Sequence, residues 1–225
     1  MPAIIAMGLV MLFAVILIVT TVYVVFRLAT NFPPGKARMS KDLQKLKADI
    51  SPWFSELVPW DDDEMQRLSL NQINKKISKG IVTTGKGIFT SVYHEPMIAY
   101  AFKKYVGKGN HVLLYARTSH HEYAFRIKGA EADVWMDSQP LGRLQHDGTM
   151  LGARSNKPIA RIKRSEDTRL LPVVVNDKEV AQLISPEVAG KVNPRALELL
   201  KPMQQEEEAV FLSMVILEMA RKEMN

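Results

Sequence analysis

No cysteine occurs anywhere in the 225 residues. That absence excludes disulfides, thiolate nucleophiles, cysteine-type structural zinc sites and an acylated lipoprotein cysteine, while leaving the redox compartment open. Glycine and proline number only twelve each, far below collagen-like or low-complexity usage, which excludes such chains. Hydrophobic residues make up 47% of the chain, too many for a disordered polymer and enough for one ordinary domain with attachments. Charge is missing from one place in particular. The first charged side chain is Arg27, so residues 2–26 are an uncharged, almost wholly apolar run.

A bilayer core of about 30 Å needs about 20 helical residues, whereas the apolar core of a signal peptide is about 7–15 residues behind a basic start. Residues 1–30 are therefore read as a retained single-pass transmembrane anchor. Arg27, Lys36, Arg38, Lys41, Lys45 and Lys47 follow it, opposed only by Asp42 and Asp49. The positive-inside rule then puts the N-terminus outside the cell membrane and the C-terminal domain in the cytoplasm.

Residues 31–79 read as a juxtamembrane linker with short helices. Asn31-Phe-Pro-Pro-Gly35 stops the first helix, and Leu43, Leu46 and Ile50 form a helical apolar stripe among lysines, expected near the lipid headgroups. Trp53 and Trp60 suit either a membrane interface or packing on the following domain. The acidic run Asp61–Glu64 predicts a short helix through Met65, Leu68 and Ile73.

From residue 80 the apolar period becomes two. Ile98, Tyr100 and Phe102, then Leu113 and Tyr115, then Tyr123, Phe125 and Ile127 alternate with smaller or polar residues, and turn signals such as Asp147-Gly148 and Asn176-Asp177 interrupt them. About ten to twelve short strands are expected between residues 80 and 185, in an antiparallel sandwich or barrel. Asn193-Pro194 predicts a helix over residues 195–201. Glu206–Glu208 opens a final helix whose residues 209–217 have no polar face, so it must be surrounded. The expected fold is thus a transmembrane helix plus, over residues 80–225, a mainly-β cytoplasmic domain: a closed antiparallel barrel around a buried apolar C-terminal helix.

This layout of meandering strands and a buried last helix, with phrases such as Leu141-Gly-Arg-Leu144 and Pro158-Ile-Ala-Arg-Ile162, resembles the tubby C-terminal-like superfamily over residues 80–224. Tubby, the LURP-one-related proteins and the phospholipid scramblases belong to it. The resemblance implies a barrel closed around its last helix and carries over no site residue.

Motifs for chemistry are thin. Gly80 to Lys86 fits most of a phosphate-binding loop, but Gly87 stands where a Ser or Thr is needed and strand-like residues follow, so a glycine turn between strands is expected. His94, Glu95, His120, His121 and Glu122, with His111 from elsewhere, are the one set resembling metal ligands, yet a strand presents only two of them per face. A metal-dependent enzyme on these residues is the minority reading, and no cofactor is expected. Residues 72–128 hold ten Lys and Arg against two acidic residues. Without a recognised motif this charge does not indicate nucleic acid. Lys103, Lys104, Lys108, Arg161, Lys163 and Arg164 are the candidate anion- or lipid-binding residues. The expected function is a membrane-anchored, non-catalytic binding or scaffold module at an anionic leaflet, or else a subunit docking a protein within a larger membrane complex.

Overall fold

The computed structural model describes residues 2–29, 35–80, 82–107, 109–163, 169–185 and 195–224. Three helices come first: α1 (Pro2–Ala29), α2 (Lys36–Ile50), continued by a 3₁₀ turn over Ser51–Glu56, and α3 (Asp62–Arg67). The strands follow as β1 (Leu68–Ser78), β2 (Thr83–Ser91), β3 (Pro96–Lys104), β4 (His111–Arg117), β5 (Glu122–Lys128) and β6 (Glu131–Met136). They continue as β7 (Gln139–Leu144), β8 (Thr149–Gly152), β9 (Pro158–Ile162), β10 (Leu170–Val175), β11 (Lys178–Ile184) and β12 (Leu197–Leu199), before α4 (Gln205–Met224). Each strand pairs antiparallel with the next, in one sheet ordered β1 to β12.

The two ends of that order nearly close the sheet into a barrel, meeting through an isolated bridge and not a paired ladder. Ser69 bridges Arg195, and the Ala196 N–H donates to the Leu68 carbonyl at 2.7 Å. The expected hairpin at Asn176-Asp177 joins β10 to β11 with φ of 47° and 62°, and Asp137-Ser138 joins β6 to β7 with 49° and 67°. Consecutive positive φ angles give turns whose twist matches the strands they connect.

The inner wall is apolar because every second side chain points to it. Tyr100 and Phe102 of β3, Leu114 of β4, Tyr123 and Phe125 of β5 and Val173 of β10 all join one core with α4. Phe211, Val215 and Ile216 are wholly buried there. Burying each side chain of that size contributes about 1.5–3 kcal/mol. Both ends of α4 are tied: Trp60 donates its indole N–H to Glu208 at 2.9 Å, and the Lys104 ammonium donates to the Met224 carbonyl at 3.1 Å. Gly85 and Gly87 lie within β2, cross-strand from Phe102 and Tyr100. A Cβ at Gly85 would sit 2.4 Å from the Phe102 ring. These glycines admit aromatic rings over the backbone, so the glycine turn expected there is instead a packed strand.

Three further expectations are corrected. Among the described residues no helix is long and apolar enough to cross a membrane, so the transmembrane anchor at residues 1–30 is withdrawn. Residues 195–201 are not helical: Leu197 and Leu199 pair with Leu183 and Ala181 of β11. The short helix after Asp61 ends at Arg67, and Ile73 belongs to β1. The sheet therefore starts at Leu68, earlier than the expected boundary at 80.

Candidate functional site

With α4 filling the barrel, side chains that could meet a ligand lie on the outer wall. Helix α2 and its 3₁₀ extension pack there across β2, β3 and β4. Leu46, Ile50 and Leu57 are buried against Ile88, Ala99, Ala101, Leu113 and Tyr115, with Leu43, Trp53 and Phe54 packed at the edge. The apolar stripe Leu43–Leu46–Ile50 thus faces the barrel, not a headgroup layer. Ala99 and Ala101 are what let a helix lie close to the sheet.

Polar ties hold this strap. Asp42, with 6% of its side chain exposed, accepts from the Lys103 ammonium at 3.0 Å and from the Tyr105 hydroxyl at 2.8 Å. Burial and the hydrogen bond to Asp42 push the Tyr105 hydroxyl well above its ordinary pKa. Glu122 accepts from Lys47 of α2 at 2.5 Å and from the Tyr115 hydroxyl at 2.8 Å. Partial burial raises the Glu122 pKa, but hydrogen bonds from Lys47 and Tyr115 outweigh it and hold the carboxyl below its ordinary range. Lys86 lies 5.1 Å from the Trp53 ring centre, and Arg117 4.7 Å from that of Phe54.

Beyond β4 the strap leaves the wall uncovered. A groove of about 1060 Å³ opens between α2 and the outer face of β5–β8, with Met39, Leu43, Trp135, Pro140 and Leu151 among its apolar walls. A smaller hollow of about 390 Å³ adjoins it and shares Met39, Arg126, Asp133 and Arg143. These charges form a single unit. Arg126 donates to Asp133 Oδ2 at 2.5 and 3.0 Å, and Arg143 Nε donates to Oδ1 at 2.7 Å. Partial burial raises the Asp133 pKa, but the two guanidinium groups outweigh it and hold the carboxyl below its ordinary range. The Arg126 guanidinium also sits 6.0 Å from the Trp135 ring centre.

The described members of the expected anion-binding set sit at the end of β3 and around the end of β9. Lys103 and Lys104 end β3, but the first is paired with Asp42 and the second bonded to the end of α4. Arg161 ends β9 beside Asp147 at 3.7 Å, and Lys163 is exposed just beyond. The turns leaving β3 and β9 lie at the same end of an up-and-down barrel, but five strands stand between them, six inter-strand spacings or about 29 Å along the sheet. Lys108 and Arg164 lie outside the described residues.

The histidine and glutamate set does not converge, and His121, Glu95 and Glu122 are engaged elsewhere. His121 Nδ1 lies 2.6 Å from Asp137 Oδ2, Glu95 accepts from the Ser91 hydroxyl at 2.9 Å, and Glu122 belongs to the strap. His94 sits at φ 67° in the turn before β3, His120 in the turn before β5, and His111 starts β4. Among the described residues no three His, Asp or Glu are placed to hold a metal.

Sequence reasoning missed Trp135, Asp133 and Arg143. The tight turn at Gly129-Ala130 puts Arg126 opposite Asp133, a register countable from sequence. Asp133 meets Arg143 only because of the register shift between Val134 and Trp135, which no local residue announces. No protein-family model, curated protein or solved structure matches the chain.

Proposed function

We propose that this chain is a non-catalytic binding module that takes its ligand on the outer wall of the barrel, in the groove between α2 and β5–β8. The observation that carries this reading is a concave, half-apolar groove of about 1060 Å³ beside a barrel whose interior α4 already occupies. Ligand sites are typically clefts of about 300–1,000 Å³ with apolar walls and a few placed polar groups. Trp135, half-buried among Pro140, Leu151 and Arg126, is the kind of aromatic anchor that dominates binding energy. The basic-patch reading is weaker than the groove, because Lys103 and Lys104 spend their donors inside the molecule.

Site-specific photocrosslinking in cells tests the reading. A benzophenone side chain at Ser138, on the groove rim, should capture a species that one at Glu198, exposed on β12, does not. Leu151→Arg, which fills the groove, should remove it. Identical products from both positions, or capture unchanged by Leu151→Arg, would overturn the reading.

A further inference from the structure

Building on that binding reading, we propose that the groove's ligand is a single-chain anionic amphiphile, a long-chain fatty carboxylate, with its tail under α2 and its carboxylate on Arg126 and Arg143. Charge complementarity carries the head. The groove is lined by three basic side chains, Lys47, Arg126 and Arg143, and two acidic ones, Glu122 and Asp133. Lys47 is matched by Glu122, whereas Asp133 faces both arginines and neutralises one. In the adjoining hollow Glu131, which acts on Arg143, is balanced by Lys128, so one guanidinium charge is left over, the complement of one carboxylate. Arg143 commits only its Nε to Asp133 and is 62% exposed, so its terminal N–H groups are free to form the paired donation that suits a carboxylate.

The strand pairing carries the tail. β5, β6, β7 and β8 are each paired on both sides, so the groove floor has no free backbone edge. An extended peptide laid there would bury its own N–H and C=O groups without partners, at a cost of a few kcal/mol for each group left unpaired. An alkyl chain brings no such groups. Met39, Leu43 and Leu151 offer it flexible and branched aliphatic contacts from both walls.

The test uses the full chain and brominated stearate, whose bromines quench tryptophan fluorescence on contact. Of the three tryptophans, Trp53 is half-buried at the edge of the strap with Lys86 over its ring, Trp60 is buried and Trp135 lines the groove. Saturable quenching should occur, vanish in Trp135→Phe and weaken at least tenfold in Arg143→Gln. Stearate should displace the probe at least tenfold better than stearyl alcohol. Quenching that survives Trp135→Phe, or equal displacement by the alcohol, overturns the assignment. If stearate fails while the Ser138 crosslink persists and stays sensitive to Leu151→Arg, the amphiphile is wrong and the groove still binds, with a self-satisfied helical peptide as the next occupant to try.

Discussion

The barrel's two walls follow different rules. Inside, every strand from β2 to β11 contributes to one core around α4. Outside, the wall is covered where α2 lies on β2, β3 and β4 and open beyond β4. The contrast is visible strand by strand: β5 alternates buried and open positions along its length, whereas in β3 six consecutive residues are buried because both faces are covered. A sheet covered on both sides loses its alternation and one covered on one side keeps it. The groove is where the first regime gives way to the second, and a boundary between a covered and a bare face is where a ligand can gain apolar contact without displacing the core.

The largest separation of the two walls is expected from Val215→Asp. It puts an unpaired charge where Val215 has no exposure, costs several kcal/mol, and should abolish cooperative unfolding of the whole barrel in thermal melts. Next comes Lys103→Glu. It sets a second carboxylate against Asp42 under the strap, and breaking a buried pair in this way costs about 3–5 kcal/mol. Had Lys103 been a free surface cation, the melting temperature would not move. Proteolysis between residues 36 and 57 should speed up in this variant before the strands yield. Gly85→Ala tests the inner wall with one methyl group: the clash with the Phe102 ring should cost about 1–3 kcal/mol, read as a lower denaturant midpoint at unchanged slope.

Acid gives the smallest effect and the most local one. The Glu122 pKa is depressed in the folded chain, so the stability it contributes is present above the ordinary glutamate value, near 4.3, and is lost as pH falls through the folded value. Because Lys47 is 46% exposed, the tie is worth at most about 1 kcal/mol. Hydrogen exchange should show α2 amides losing protection below about pH 4 while those of β3 and β4 keep theirs. Lys47→Met should blunt that acid response, and equal loss in strap and strands would erase the distinction.

The inner wall was legible in the sequence because its signal is periodic: Tyr123, Phe125 and Ile127 all point inward as their spacing predicts. The enclosed helix was legible because residues 209–217 have no polar face to offer water. The strap was only half legible. Its stripe of Leu43, Leu46 and Ile50 announces a partner, but the partner surface is built from Ala99 and Ala101, which by themselves read as strand filler, and from Leu113 and Tyr115, whose spacing does not tell the outer face from the inner one. β12 was misread because Asn193-Pro194 is a sound local helix signal overruled by pairing with β11. The groove charges were invisible for a related reason, since one register shift decides which side chains stand opposite one another.

The position of α4 in the chain affects how the protein must be made. Its residues come after all twelve strands, yet they are the filler around which those strands close. While residues 68–224 are being synthesised, for about 8–30 s at the usual 5–20 residues per second, Tyr100, Phe102, Leu114 and Phe125 have no permanent partner. The nascent sheet is held open with a greasy lining, the condition in which chains associate with each other or with chaperones. Closing it links Leu68 with Ala196 across most of the domain, a long loop to close, and non-local pairing of that kind places folding at the slow end, in milliseconds to seconds. Appearance of α4 is therefore the committing step, and a chain cut short before Gln205 is left as an open sheet with no plug.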